Sequence, residues 1–339
     1  RISTLFSDIL FTRLAILFGC AVAVLVASPF LDPVTVKLQL AWLLFPLAYI
    51  LQSAWFYQGL ERNVFAAIAM ANSRLACLIL VKVLIVGPAD FYLAPLIIGT
   101  TYALGGASLL VYALVKYRVR LLGFSPSRAR ALLWTGKEIF LGNLSVTLYR
   151  DSNVLILNAI SNTRVVALYS IAEKAVKVFQ AGARPLNQLF FPKVIRALSG
   201  IRGPGREAFR AVLRYTIPQL ALLGLGVVGA AVSFVLFRQY FPAPLRSEQG
   251  GKILMLIAIM ILSIFFGVAN FMFGTGGLNY LGRRAHLAKS ILLTGLCSLA
   301  CCVVLVRAFD ETGAAINFVL AEAMLFALIL RAYFGPAAR

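Results

Sequence analysis

Apolar stretches of about twenty residues recur from one end of this chain to the other, separated by short polar or basic turns. That repetition limits what the chain can become. A hydrocarbon layer offers no water to backbone N–H and C=O groups, so a crossing segment must satisfy them itself, as a helix or within a closed barrel. A helix that crosses needs about 20 mostly apolar residues. Runs of that length are found at 14–31, 38–56, 64–86, 91–115, 139–159, 165–194, 217–237, 253–273, 287–306 and 313–330. The expected fold is all-α: a polytopic membrane helix bundle with about ten transmembrane helices. The composition agrees. Of the 339 residues, 61% are hydrophobic and 13% charged, where a soluble domain carries about 25% charged residues. Gly99, Gly105 and Gly106 in the fourth run are placed for close helix approach.

The net charge of +20 raises nucleic acid as a partner, but the cations gather in alternate loops. One set of loops holds Arg62; Lys116, Arg118, Arg120, Arg128 and Arg130; Lys193 through Arg210; Arg283 and Arg284; and Arg339. The other set is short and poor in cations. This is the positive-inside pattern. It puts the first set, and both termini of the chain, in the cytoplasm, and nucleic acid is not an expected partner. The longest basic stretch, KYRVRLLGFSPSRAR at 116–130, contains a Ser-Pro turn. It is expected to be a cytoplasmic linker between an N-terminal lobe, 1–115, of four helices and a C-terminal lobe, 131–339, of six. The five cysteines all lie in apolar runs and the only histidine is His286, so no metal-ligand spacing exists and no metal or cofactor is expected. No Walker loop is present, so ATP is not the direct driver.

Charges inside the runs carry the functional signal. Within 167–194, Glu173, Lys177, Gln180 and Arg184 follow one another at spacings of four, three and four, and so share one helix face. Asn143, Thr147, Arg150 and Asp151 form a second stripe. Arg74 lies mid-run in the third span and Glu322 well inside the last. A charge at the bilayer centre costs about 2.5–3.5 kcal/mol, unless its face lines water or pairs inside the protein. A Glu173–Lys177 pair within a packed bundle is one explanation, and a solvated cavity is the other. The number of such residues favours the cavity. The cations Arg74, Arg150, Lys174 and Lys177 outnumber the acids near them, and guanidinium groups match phosphate oxygens in a fork. A cationic cavity for an anionic headgroup is expected. Asp151, Glu173 and Glu322 are coupling candidates for protons or ions, with internal salt bridging as the alternative. A cation-drug exporter calls for an acidic cavity. A membrane polymerase or glycosyltransferase calls for catalytic groups in a large loop opposite the basic ones, and those loops are short. No catalytic residue is expected.

Several motifs resemble one family, in order along nearly the whole chain. They are WFYQGLERN at 55–63, VKVLIVGPADFYLAP, TLYRDSNVLILN, LYSIAEKAVKVFQ with its FPKV end, LNYLGRRAH and GAAINFVLAE. Together they resemble bacterial polysaccharide flippases of the O-antigen type, within the multidrug/oligosaccharidyl-lipid/polysaccharide exporter superfamily. The resemblance implies a two-lobe, MATE-like transporter fold in the bacterial inner membrane, of which this chain lacks the first two helices. It also implies the cargo, an undecaprenyl-pyrophosphate-linked oligosaccharide, with a polysaccharide polymerase complex as a neighbour. Peptidoglycan-precursor flippases and multidrug antiporters are the alternatives within the superfamily.

Loop charge makes a topology test. Reporter fusions after Arg130 and after Arg206 are expected to read cytoplasmic, and fusions at Ala89 and Ser247 periplasmic. A periplasmic signal at Arg206 would break the helix assignment.

Overall fold

The computed structural model describes residues 2–60, 62–236, 240 and 247–335, without the side chains of 63, 138, 139, 141–143, 145 and 149. Asn143 of the second stripe, Glu61 of the WFYQGLE motif, the loop cation Arg246 and Arg339 therefore lie outside the description. The chain divides into two compact units, Arg1–Lys137 and Glu138–Arg339. The elements of both are helices, joined by short turns, among the described residues.

The first unit holds α1 (Ile2–Ala27), α2 (Pro33–Trp42), α3 (Leu44–Gln52), α4 (Ala54–Gly59), α5 (Asn63–Leu84) and α6 (Leu93–Lys116), and the start of α7 (Pro126–Arg150). Asp32 begins α2 as its N-cap, accepting from the backbone N–H groups of Val34 (2.9 Å) and Thr35 (3.0 Å), with Pro33 in the first turn. The Thr35 hydroxyl and these N–H groups hold its carboxyl below the usual range. Ser53, in a left-handed conformation (φ 44°), separates α3 from α4. The core gathers the WFYQG motif: Phe56 and Tyr57 are buried, Phe6 packs edge-on against Phe56, and Tyr57 donates to the Leu109 carbonyl. In this chain those aromatic positions of the motif are packing residues.

Helix α1 begins earlier than the apolar run, because its polar lead-in has partners. Ser7 Oγ accepts from Leu122 N–H at 2.8 Å and Ser3 Oγ accepts from Arg120 N–H at 3.1 Å. Arg128 Nε donates to both oxygens of the buried Asp8 at 2.9 and 2.8 Å. The basic stretch 116–130 is thus fastened to the first helix of the first unit.

The second unit continues with the end of α7, then α8 (Ser152–Ile160), α9 (Thr163–Leu198), α10 (Arg206–Leu236), α11 (Glu248–Met260), α12 (Leu262–Ala269), a π-helical segment (Asn270–Leu278) and α13 (Arg284–Phe334). Although 51 residues long, α13 is not one rod. Phe309 and Asp310 leave helical geometry, and the two limbs, 284–308 and 311–334, run back along each other. Asn317 Nδ2 donates to Ser298 Oγ at 3.0 Å and His286 Nε2 to the Leu328 carbonyl at 3.2 Å, a pairing that only antiparallel limbs allow.

Among the described residues, seven helices are long and apolar enough to cross a membrane. Six of these are single segments. The seventh is α13, whose two limbs carry the ninth and tenth apolar runs, while the striped segments α7–α8 and α9, which carry the fifth and sixth, are not among the seven. The molecule is an all-α polytopic membrane helix bundle.

Glycines set how closely α6 approaches its neighbours. A Cβ at Gly99 would strike Leu44 Cβ of α3, and one at Gly105 would strike Ser73 Oγ of α5. At Gly106 it would sit 2.6 Å from the Ala48 carbonyl oxygen of α3. A hydroxyl can rotate away, but a backbone carbonyl cannot. Gly106→Ala is therefore expected to cost about 1–3 kcal/mol through overpacking, and Gly105→Ala less. Leu104→Ala, at a side chain 72% exposed, is the control. Thermal aggregation of the detergent-solubilised protein reads the order.

Candidate functional site

Helix α7 stops at Arg150, and Asp151 stands in the break before α8. These two neighbours reach different helices. Arg150 Nη2 lies 2.9 Å from Glu322 Oε1, and Arg150 Nε donates to the same oxygen at 3.0 Å. Asp151 Oδ1 accepts from Lys177 Nζ at 2.9 Å. Lys177 Nζ also lies 3.3 Å from Glu173 Oε1. That second contact is an ion pair without hydrogen-bond alignment, since the buried Glu173 Oε1 accepts no hydrogen bond among the described residues.

Glu322 is 1% exposed. A carboxylate in such a place persists only if donors replace water. Arg150 supplies two N–H groups to Oε1, and Asn270 Nδ2 donates to Oε2 at 2.7 Å and to the Glu322 carbonyl at 3.0 Å. Asn270 is the first residue of the π-helical segment. Widened turns of this kind recur at functional sites. A carboxamide chain lies alongside. Asn317 Nδ2 donates to Asn153 Oδ1 at 2.8 Å and to Ser298 Oγ, while Asn153 Nδ2 donates to the Tyr169 hydroxyl at 3.3 Å. Helices α7, α8, α9, the π-helical segment and both limbs of α13 are thus tied by buried polar groups.

Beside this cluster is a cavity of about 340 Å³. Arg150 lines it from α7, Gln180, Arg184, Asn187 and Gln188 from α9, and Ile264 and Val268 from α12. One wall is polar and the other apolar. Arg184 makes no ion pair among the described residues, and the buried Asn187 Oδ1 has no hydrogen-bond partner there. Pro185 lies within α9 between these side chains. It has no N–H to give the carbonyl four residues back, at Ala181. In a membrane such a carbonyl is tolerated where water or protein can serve it, which agrees with a polar cavity on this helix.

The stripe expected from the sequence is therefore real, and it is longer than its first four members. Glu173 and Lys177 form the paired upper part, Gln180 and Arg184 line the cavity, and Asn187 and Gln188 continue it. Steps of three and four beyond Arg184 reach those two residues, but Pro185 hid the continuation. Asn270 had no periodic signal, being a single amide in an apolar run. Of the expected site residues, the fold joins Arg150 with Glu322, and Lys177 with Asp151 and Glu173. Lys174 is exposed, next to Glu173 on α9. Arg74 is exposed on α5 of the first unit.

Residues 1–197 match a protein family described as "Polysaccharide biosynthesis protein". The chain belongs to that family. The match covers α1 through nearly the whole of α9, including most of the polar cluster. The chain is also 21% identical over 328 residues to the "Putative O-antigen transporter" of Escherichia coli (strain K12), an alignment covering 93% of this chain and 77% of that protein. No solved structure matches.

The Glu322 clamp yields a double-mutant test. Breaking a fully buried pair costs about 3–5 kcal/mol by leaving one charge alone. Arg150 is 40% exposed, so Arg150→Met is expected to cost about 2 kcal/mol, below that range. Adding Glu322→Gln removes the stranded charge and should recover more than half of the loss in detergent melting. Additive losses would show that the two side chains are not energetically coupled.

Proposed function

We propose that this protein is a polysaccharide flippase that moves undecaprenyl-pyrophosphate-linked repeat units across the bacterial inner membrane by alternating access. It acts as a transporter and not as an enzyme. The family and the O-antigen transporter relative support the cargo class. The observation that carries the site is the α9 wall of the cavity: guanidinium and carboxamide groups of Gln180, Arg184, Asn187 and Gln188, with Arg150 beside them, on a helix among membrane spans. Guanidinium groups bind phosphate oxygens as a fork, and carboxamides both donate to and accept from sugar hydroxyls. At about 30 Å³ per water, 340 Å³ holds roughly ten waters. That is room for a pyrophosphate or one sugar ring, and the remaining sugars lie outside it.

Moving such a headgroup through hydrocarbon unaided strands charge and hydroxyls together. A polar wall removes that cost, and exposing it first to one side and then to the other completes transport. Coupling falls to the acids. With Glu322 ionised, Arg150 is engaged by it. Protonating Glu322 weakens that hold and turns the guanidinium toward an arriving phosphate. Asp151 and Glu173 act in the same sense on Lys177. The cation surplus at the site is then conditional, since in this structure Arg150 and Lys177 are balanced by acids.

The test uses a strain lacking its own flippase and carrying the complete gene. Arg184→Ala and Arg150→Ala are expected to lower surface polysaccharide about tenfold or more, the worth of a charge-assisted hydrogen bond. Undisplayed lipid-linked oligosaccharide should accumulate, and Arg184→Ala should leave protein abundance near normal. Arg164→Ala, in a loop, should change neither. Normal display in an Arg150→Ala/Arg184→Ala double variant would remove the cavity from the mechanism. Rescue of peptidoglycan-precursor transport or of drug resistance instead would reassign the cargo.

A further inference from the structure

A second cavity, of about 380 Å³, opens where the two limbs of α13 end, well along the chain from the polar cluster. Its lining is one-signed. Arg283, His286 and Lys289 come from the start of the first limb, and Arg331 from the end of the second. No acidic side chain is among its described lining residues, and neither Lys289 nor Arg331 forms an ion pair among the described residues.

The register explains the convergence. His286 faces a carbonyl, which can only accept, so Nε2 donates to Leu328 and pins the two limbs together at that level. Three residues earlier on one limb is Arg283, and three residues later on the other is Arg331. In antiparallel limbs these two arrive at the same height. Lys289 sits one turn further in, on the His286 face. The first limb also starts here, so its leading N–H groups have no intrahelical acceptor and its dipole presents positive charge. The rest of the lining is mostly apolar, Leu293, Leu328 and Ala332 with Ser290 and Gly335. A basic rim over an apolar floor fits a group that is anionic at one end and hydrocarbon at the other. A freely soluble anion would gain nothing from that floor.

We propose that this cavity is a binding site for the headgroup phosphate of an anionic membrane phospholipid, separate from the transport cavity. Its position suits that role. The neighbouring start of α10 carries Arg206 and Arg210, and Phe209 of that helix packs edge-on against Phe334 of the second limb. These belong to the cation-rich loops that the charge pattern assigns to the cytoplasmic leaflet, where basic pockets between helices bind anionic headgroups. The lipid would hold the ends of the hairpin together from outside, as His286 does from within.

The test uses the full-length protein reconstituted in phosphatidylcholine nanodiscs, titrated with phosphatidylglycerol, with lipid retention read by native mass spectrometry. A Lys289→Gln/Arg331→Gln double variant is expected to bind phosphatidylglycerol about 30-fold more weakly, roughly fivefold for each cation removed. A Lys37→Gln/Lys82→Gln variant, which removes equal charge elsewhere, should bind as the parent does. Equal binding by the first variant, or an equal loss in the second, overturns the proposal. In a parallel arm, inorganic phosphate at the same concentration should leave lipid retention unchanged. Competition by phosphate would reassign the site to a soluble anion. If the double variant does not fold, phosphatidylglycerol bearing a photoactivatable headgroup settles the matter on the unaltered chain. Crosslinks within 283–293 and 328–335 support the site, and their absence there rejects it.

Discussion

The second unit is built around one costly group, the buried carboxylate of Glu322. In a bundle of membrane helices it cannot be left to water. Two elements bring it donors: Arg150 from the end of α7 and Asn270 from the head of the π-helical segment. The consequences spread outward. The break between α7 and α8 leaves Arg150 free to face α13 while Asp151 turns to Lys177 on α9. The π-helical turn begins at the residue that must reach Glu322. The cavity lies beside this clamp, and shares Arg150 with it.

The two units differ in emphasis: both have polar contacts between helices, but close approach over glycines marks α6 of the first. In the first, α6 approaches Leu44 of α3 at Gly99, Ser73 of α5 at Gly105 and the α3 backbone at Gly106. Contacts of that kind depend on shape and do not respond to charge. In the second unit, carboxamides, hydroxyls and ion pairs cross between helices. Membrane helices gain little from burying apolar surface against one another, since lipid is as apolar as their side chains. Either close packing or polar contact must therefore supply the attraction. The first suits a rigid body, and the second is sensitive to protons, ions and charged ligands.

Much of this was legible in the sequence. Eight of the ten apolar runs fall on the seven helices long and apolar enough to cross a membrane, because the period and length of a membrane helix are set by the bilayer and need no tertiary information. The turn at Phe309 and Asp310 was visible as a polar interruption between two runs. The Glu173–Lys177–Gln180–Arg184 face was visible because it is local. What the sequence withheld was non-local. Arg150 and Glu322 are 172 residues apart, and nothing in either neighbourhood names the other. The cation surplus was read by counting. The fold then spent two of those cations on acids. The start of α1 was also hidden, since Ser3, Ser7 and Asp8 look like a polar lead-in until their partners at 120–128 are seen.

The fastening of that lead-in has a consequence in time. Asp8 and Arg128 are 120 residues apart. At synthesis rates of about 5–20 residues per second, the ribosome needs roughly 6–24 s to travel from one to the other. Through that interval α1 through α6 emerge and enter the bilayer while the carboxylate that will be buried still lacks its guanidinium. The Asp8 carboxylate gains its partner only when the basic stretch, made later, returns to α1. The segment at 120–128 is thus a latch that translation supplies late.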